Sequence, residues 1–146
     1  MKLHPHISIR LARNKGELEK AFKIREIVFI NEQHVSRRLE RDGLDGTSKH
    51  VLLFLGGKAV GAARVRFEGK TARLQRMAIL KQFRGRGLGK ALVRHLLSYG
   101  RRHGAKNAVI HAQYYLKEFY SGLGFVGKGK PFQEACIQHI QMVRAL

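Results

Sequence analysis

Residues 84–90 read Arg-Gly-Arg-Gly-Leu-Gly-Lys, three glycines interleaved with three basic side chains and one leucine. Glycine lets the main chain take positive φ and come close to a ligand. Where such a segment opens a helix, its free N–H groups and the positive end of the helix dipole form a cradle for phosphate. Two nucleotide motifs are excluded by spacing. A Walker A loop needs Gly-x-x-x-x-Gly-Lys-Ser/Thr, but position 84 is Arg and position 91 is Ala; the dinucleotide fingerprint Gly-x-Gly-x-x-Gly fails because the third glycine comes one residue early. A second constellation is Phe119-Tyr120-Ser121-Gly122-Leu123-Gly124-Phe125. It places a phenol at the end of a short helix that two glycines break. That phenol is either a proton donor at the end of a cleft or a core aromatic at a helix terminus.

The charged residues are distributed unevenly. With 29 Lys+Arg against 10 Asp+Glu the chain carries +19, which points to an anionic partner: nucleic acid, a membrane surface or a phosphorylated small molecule. From Gly69 to Lys117 there are twelve Lys or Arg and no carboxylate, whereas seven of the ten acids fall between Glu17 and Asp45. This distribution fits a chain with an anion-binding part and a part that holds any catalytic carboxylate, and it fits equally a solvated basic surface with no partner of its own. Candidate bases outside the basic stretch are Glu32, Glu40, Asp42 and Glu134, with the imidazoles of His50 and His139. His111 sits in an apolar run and is expected to be packed. The histidines show no metal-ligand spacing, and Cys136, the single cysteine, allows neither an internal disulfide nor a cysteine zinc site.

The elements that must position these groups follow from periodicity. Ile7, Ile9 and Leu11 alternate as a first strand. Asn14 and Glu17 look like a helix cap with its capping-box acid, opening a helix from Lys15 to Ile30. A short helix or turn is expected over Ser36–Arg41. The runs 50–55, 59–67 and 71–80, joined by Gly-containing turns, predict three antiparallel strands. Leu88, Leu92, Leu96 and Tyr99 give a helix to about His103, stopped by Gly104. Then come a strand over 107–112, a short helix over 115–121, and strands over 125–127 and 137–143 around a Gly/Pro loop. At 146 residues, 44% hydrophobic, this is one mixed α/β domain large enough to bury its own core. The longest apolar runs are far below the ~18 residues of a membrane span, and the first residues lack a signal-peptide core, so a cytoplasmic protein is expected.

Taken in order, these motifs resemble the GNAT superfamily of N-acetyltransferases. Arg84-x-x-Gly87-x-Gly89 resembles its acetyl-coenzyme A (acetyl-CoA) pyrophosphate loop, and Tyr120 with Gly124-Phe125 its later signature. Val28-Phe29-Ile30-Asn31-Glu32-Gln33, Glu40-x-Asp42-x-x-Asp45, His50, Ala112-Gln113 and Phe132-x-Glu134-x-x-Ile137-x-His139-x-x-Met142 are similar to the ElaA/YjcF-like branch. The resemblance covers nearly the whole chain from about residue 24.

It implies a mostly antiparallel sheet with a splayed parallel pair in the middle, flanked by helices. It implies acetyl-CoA as co-substrate, no metal, and an amine acceptor that it does not identify. The pantetheine arm would add to the splayed strands along the main chain of Met77, Ala78 and Ile79. Arg84, Gly85, Arg86, Gly87, Leu88, Gly89 and Lys90 would hold the pyrophosphate, and Gln113 stands where the superfamily often has Asn. Tyr120 would be the acid for the departing thiolate, with a main-chain N–H near Ala78 or Ile79 on the thioester carbonyl. Glu32, Glu134 and His139 would serve the acceptor side, which is expected between the 32–45 and 134–139 segments. A monomer or homodimer is implied. Two alternatives remain: a basic nucleic-acid-binding module, although the interleaved Arg/Lys and aromatic residues of an RNA-binding sheet are missing, and a coenzyme A-binding protein of this fold without acetyl transfer.

Overall fold

The computed structural model describes residues 6–146. Seven strands form one sheet in the order β1-β2-β3-β4-β5-β7-β6. They are β1 (Ile7–Leu11), β2 (Lys49–Leu55), β3 (Lys58–Glu68), β4 (Thr71–Ile79), β5 (Asn107–Gln113), β6 (Val126–Glu134) and β7 (Ile137–Ala145). The helices are α1 (Lys15–Arg25), α2 (Arg37–Glu40), α3 (Leu88–Arg102) and α4 (Lys117–Ser121). Every neighbouring pair is antiparallel except β4 and β5.

That parallel pair is the feature on which the site depends. Its ladder contains Thr71↔Asn107, Ala72↔Ala108 and Arg73↔Val109, and there it stops. Beyond that point β5 stays paired to β7 as far as Gln113↔His139, and β4 stays paired to β3 as far as Ile79↔Gly61. The two strands therefore part in a V, each still anchored on its other edge. A bulge in β4 adds to the divergence: Gln75 pairs with Arg64 and Ala78 with Ala62, so two β4 residues oppose one on β3. Arg76 at this bulge has φ 56°, a left-handed conformation that is uncommon for a side chain other than glycine.

The two faces of the sheet carry separate cores. Leu74, Ile110 and Met142 pack against Leu92 and Leu96 of α3, while Leu52, Ala62 and Ala78 pack under Ala21, Ile24 and Val28. Helix α3 lies close on β4: a Cβ at Gly100 would come within 3.2 Å of the Ala72 Cβ. Leu92 and Leu96 are at most 1% exposed, and truncating either to Ala costs about 2–5 kcal/mol.

Two boundaries differ from the periodicity. The first helix does not stay α-helical to Ile30; it changes to a π-helical segment, Glu26–Glu32, with Gln33 N–H donating to Val28 O. The strand expected over three residues at 125–127 extends over Val126–Glu134. Its Gly129 and Pro131 read as loop, but β6 is an edge strand, where a missing donor is tolerated, and its pairing shifts between Lys128 and Phe132. The Asn14 cap is as expected, with its Oδ1 accepting from Glu17 N–H, whereas the Glu17 carboxylate takes the N–H of Arg13 instead of that of Asn14. No helix among the described residues is long and apolar enough to cross a membrane.

Candidate active site

The V between β4 and β5 opens into a cavity of about 910 Å³, lined by Leu74–Ile79, Val109–His111 with Gln113, and the start of α3. The main chain of β4 faces it at alternate residues. Leu80 N–H donates to Val60 O, and Ala78 pairs with Ala62, so the main-chain groups of Ala78 are turned to β3. Those of Ile79, and by strand alternation those of Met77, are turned to the open edge. Of the three β4 residues expected to meet a ligand through their main chain, Met77 and Ile79 are therefore placed to do so, and Ala78 is not.

The glycine segment crosses the mouth of this opening. Gly85 and Gly87 have φ of 78° and 79°, and Gly87 is the N-cap of α3. A Cβ at either glycine would meet nothing within 4 Å, so the two are required for conformation and leave their surroundings open. Among the described residues no main-chain carbonyl accepts from the N–H groups of Gly85 to Lys90; the first helical bond is Ala91 N–H to Gly87 O. A row of free donors at the positive end of a fifteen-residue helix suits an anion. Arg84, Gly85, Gly87, Leu88, Gly89 and Lys90 line the cavity. Arg86 lies outside it, its guanidinium 5.4 Å from the Phe83 ring.

Arg84 is already engaged. Its Nε donates to Ile79 O at 2.8 Å, and its two terminal nitrogens reach the Glu32 carboxylate at 2.6 and 2.9 Å. This pair holds Glu32 below the usual carboxylate range and ties the end of the π-helical segment to the loop. Glu32 does not line the cavity, so the structure does not bring it to the acceptor side. Its neighbour Gln33 does line it and accepts from Gln113 Nε2 at 2.8 Å.

Tyr120, at the end of α4, lines the cavity and is 5% exposed. Its ring packs edge-on against Phe119 and Phe125. Burial pushes the phenol well above its ordinary value of 10, so it stays protonated over the whole working pH range. It is thus both a packed aromatic and a hydroxyl at the cavity wall.

On the other side Glu134 and His139 come together, and His111 joins them. His111 Nδ1 lies 3.2 Å from Glu134 Oε1, and His139 Nε2 lies 3.7 Å from Glu134 Oε2. The bond from His111 is the first cause holding Glu134 below its ordinary range. His139 Nδ1 is 2.7 Å from Ile137 O. A carbonyl only accepts, so Nδ1 carries the hydrogen and Nε2 of the neutral ring is left with a free lone pair. Between these residues the chain turns through Ala135 and Cys136, both with positive φ (52° and 60°), a conformation that costs about 1–2 kcal/mol for a residue with a Cβ.

The expectation of a packed His111 fails: the residue is exposed, because alternation along β5 sets it opposite to Ala108, Ile110 and Ala112, which are in the core. Among the described residues no helix covers that part of the face. The same alternation puts His111 and Gln113 on one side, a spacing that the apolar run around His111 masked in the sequence.

The remaining acids are structural. Arg25 and Arg64 are 1% and 0% exposed. Arg25 Nε donates to Glu40 Oε2 at 2.9 Å and its Nη1 to Asp45 Oδ1 at 2.8 Å. Arg64 donates to both oxygens of Asp42 at 2.8 Å and to Asp45 Oδ1 at 2.9 Å. Arg76 donates to the main-chain oxygens of Leu39 and Glu40. Asp42 is held far below the carboxylate range by its bond from Arg64. Glu40 and Asp42 do reach the cavity wall, but as members of this network, which fastens α2 and its loop to β3 and β4. Removing one partner of such a buried pair costs about 3–5 kcal/mol. His50 is also held, with its Nε2 2.9 Å from Asp45 O, away from the cavity. Among the described residues no group of three His, Cys, Asp or Glu is placed to hold a metal ion.

Comparison with known proteins agrees with this geometry. The family model of the acetyltransferase (GNAT) domain matches residues 17–146. The uncharacterized N-acetyltransferase YjcF of Bacillus subtilis is 35% identical over 135 residues, which is 92% of this chain and 96% of the relative. Two solved structures share the fold: ElaA of Escherichia coli, with TM-score 0.82 and 23% identity over 96% of this chain and 99% of the other, and a GNAT family acetyltransferase of Elizabethkingia anophelis with acetyl-CoA bound, with TM-score 0.75 and 14% identity over 96% of this chain and 98% of the other. The chain belongs to the GNAT family of acetyltransferases, and it is an acyltransferase.

Proposed function

We propose that the protein, acting as a single catalytic domain over residues 1–146, transfers an acetyl group from acetyl-CoA to a primary amine by direct attack within a ternary complex. The observation that carries this reading is the three-residue limit of the β4–β5 ladder beside a helix start with free N–H groups. A strand-like ligand arm with amides fits the unpaired edge of β4, and its pyrophosphate fits the loop. Acetyl-CoA, bound this way, supplies a thioester carbonyl open to attack by a neutral amine.

The chain's own residues then divide the work. Main-chain N–H groups from Gly85 to Lys90 meet the phosphate oxygens, and Lys90 adds charge at the cavity wall. Met77 and Ile79 offer main-chain donors and acceptors to the arm, with one N–H of this edge directed at the thioester oxygen. His139 takes the proton that the amine loses, on the free lone pair of Nε2. Glu134, 3.7 Å away, stabilises the imidazolium that results. Tyr120 donates a hydrogen bond to the sulfur as it leaves. Full proton transfer from Tyr120 is uphill: an ordinary thiol at about 8.5 and phenol at about 10 already differ by about 2 kcal/mol, and burial raises the phenol further.

Thiol release from acetyl-CoA, measured against a panel of primary amines, tests the reading. Turnover with at least one amine, saturating in both substrates and giving intersecting double-reciprocal lines, is expected. Parallel lines would show an acetylated enzyme and contradict direct attack.

A further inference from the structure

At the end of α3 remote from the glycine loop, about 22 Å along the helix axis, three rings form a cluster that acetyl transfer does not use. His103 stacks on Tyr99 at 4.1 Å between ring centroids, with 30° between planes. Phe67 lies 6.0 Å from Tyr99 and 6.2 Å from His103. The outer members are accessible: Phe67 is 37% exposed and His103 is exposed, while Tyr99 beneath them is 6% exposed. Phe67, the last residue of β3 but one, lies on the side that faces α3. Glu68, next to it, is turned to the other face by strand alternation and is held there by Arg66 and Arg73.

Four cations adjoin the rings along the chain. Arg101 and Arg102 form the last turn of α3. Lys70 and Lys106 belong to two adjoining turns that are tied together by Lys106 N–H donating to Lys70 O at 2.7 Å. Among the described residues none of the four is in an ion pair, and the chain places no carboxylate between Gly69 and Lys117. Exposed aromatic rings beside unpaired cations are what a single strand of nucleic acid recognises: bases stack on the rings and phosphates lie on the cations. A duplex offers the phosphates without free base faces, and an acidic peptide offers charge without a stacking partner.

We propose that the Phe67–Tyr99–His103 cluster, with Lys70, Arg101, Arg102 and Lys106, is a binding site for single-stranded nucleic acid, separate from the acetyl-transfer cavity and independent of the reading given for it. Fluorescence anisotropy with a labelled single-stranded RNA of ~12 nucleotides, within the usual site size, tests it against a duplex and an abasic sugar-phosphate strand of equal length. The single strand should bind more tightly than either control, with log Kd rising with log salt at a slope of about 3 for four phosphate contacts. Phe67→Leu, which keeps an apolar contact, and His103→Ala should each weaken the single strand by about five- to a hundredfold and leave duplex binding unchanged. Lys70→Glu with Lys106→Glu should weaken both. Equal binding of the abasic strand, single-strand binding unaffected by the ring variants in folded protein, or an equal loss on charge reversal at Lys20 and Lys23 of α1 would each overturn the proposal.

Discussion

Arg84 and Glu32, fifty-two residues apart in sequence, meet in a two-pronged ion pair at 2.6 and 2.9 Å. The pair joins the end of the π-helical segment to the segment that caps α3. It also partly neutralises the one arginine in the loop that lines the cavity, so an incoming phosphate meets main-chain N–H groups first and a guanidinium that a carboxylate already orients.

Glu32→Gln should therefore leave the shape of the pH–rate profile unchanged and alter kcat by no more than about threefold, because the pair is partly exposed and such pairs contribute about 0–1 kcal/mol. Arg84→Ala should weaken acetyl-CoA binding by about tenfold, since it removes a cation and the bond that holds Ile79 O. Steady-state kinetics with both substrates varied separates the two outcomes. A Glu32→Gln enzyme that loses one limb of its pH profile would restore that carboxylate to the chemistry.

Tyr120→Phe keeps the edge-on packing against Phe119 and Phe125 and removes only the hydroxyl. A hydrogen bond to a charged group contributes about 1.5–3 kcal/mol, so kcat should fall about 10- to 150-fold while thermal stability and acetyl-CoA affinity stay close to wild type. Single-turnover rates at saturating acetyl-CoA provide the measurement. An unchanged rate of chemistry would leave Tyr120 as packing alone.

His139→Gln should lower kcat by 10²- to 10⁴-fold, the usual contribution of a general base. Glu134→Gln should have a smaller effect on kcat, because the imidazolium formed in the reaction loses a facing carboxylate. Neither change should alter acetyl-CoA affinity. Loss of affinity in both would place these residues at the cofactor instead of the acceptor.

Acid sensitivity should begin with a histidine outside the site. Burial holds His50 below its ordinary 6.5, packed edge-on against Phe22 and facing Asp45, Arg25 and Arg64. The unfolded chain then takes up a proton before the folded one, so stability falls as pH drops through about 6.5 and continues to fall until His50 itself protonates. The slope is at most about 1.36 kcal/mol per pH unit for one group. Denaturant unfolding of wild type and His50→Gln between pH 7 and 5 should show a shallower slope in the variant. Identical slopes would assign the effect to other groups, such as His95, which burial also holds low.

Much of this arrangement was legible in local patterns. The cap at Asn14, the three-strand meander, and the glycine segment that opens α3 each depend on chemistry within a few residues. The rest depends on which face of the sheet is covered. His111 reads as a core residue in Ala108-Val109-Ile110-His111-Ala112, and only the position of α1 and α2 relative to β5 shows that its side is open. Glu40 and Asp42 read as free acids because their partners lie far away in sequence, although Arg64, within the apolar run Ala62-Ala63-Arg64-Val65, already required a carboxylate. Glycines and a proline disguised β6, since residue type alone does not distinguish an edge strand from a loop.

The central claim is that the V between β4 and β5, closed by the Gly85–Lys90 segment, holds acetyl-CoA. Calorimetric titration of acetyl-CoA into wild type and into Gly87→Glu tests it most directly. The added side chain has open space around it but brings negative charge and a strained φ to the capping position. One site per chain in the wild type and a loss of at least ~100-fold in affinity in the folded variant, equivalent to about 2.7 kcal/mol, is the predicted result. Equal affinity in a variant whose circular dichroism and melting temperature match the wild type, or no binding to the wild type at all, would contradict it.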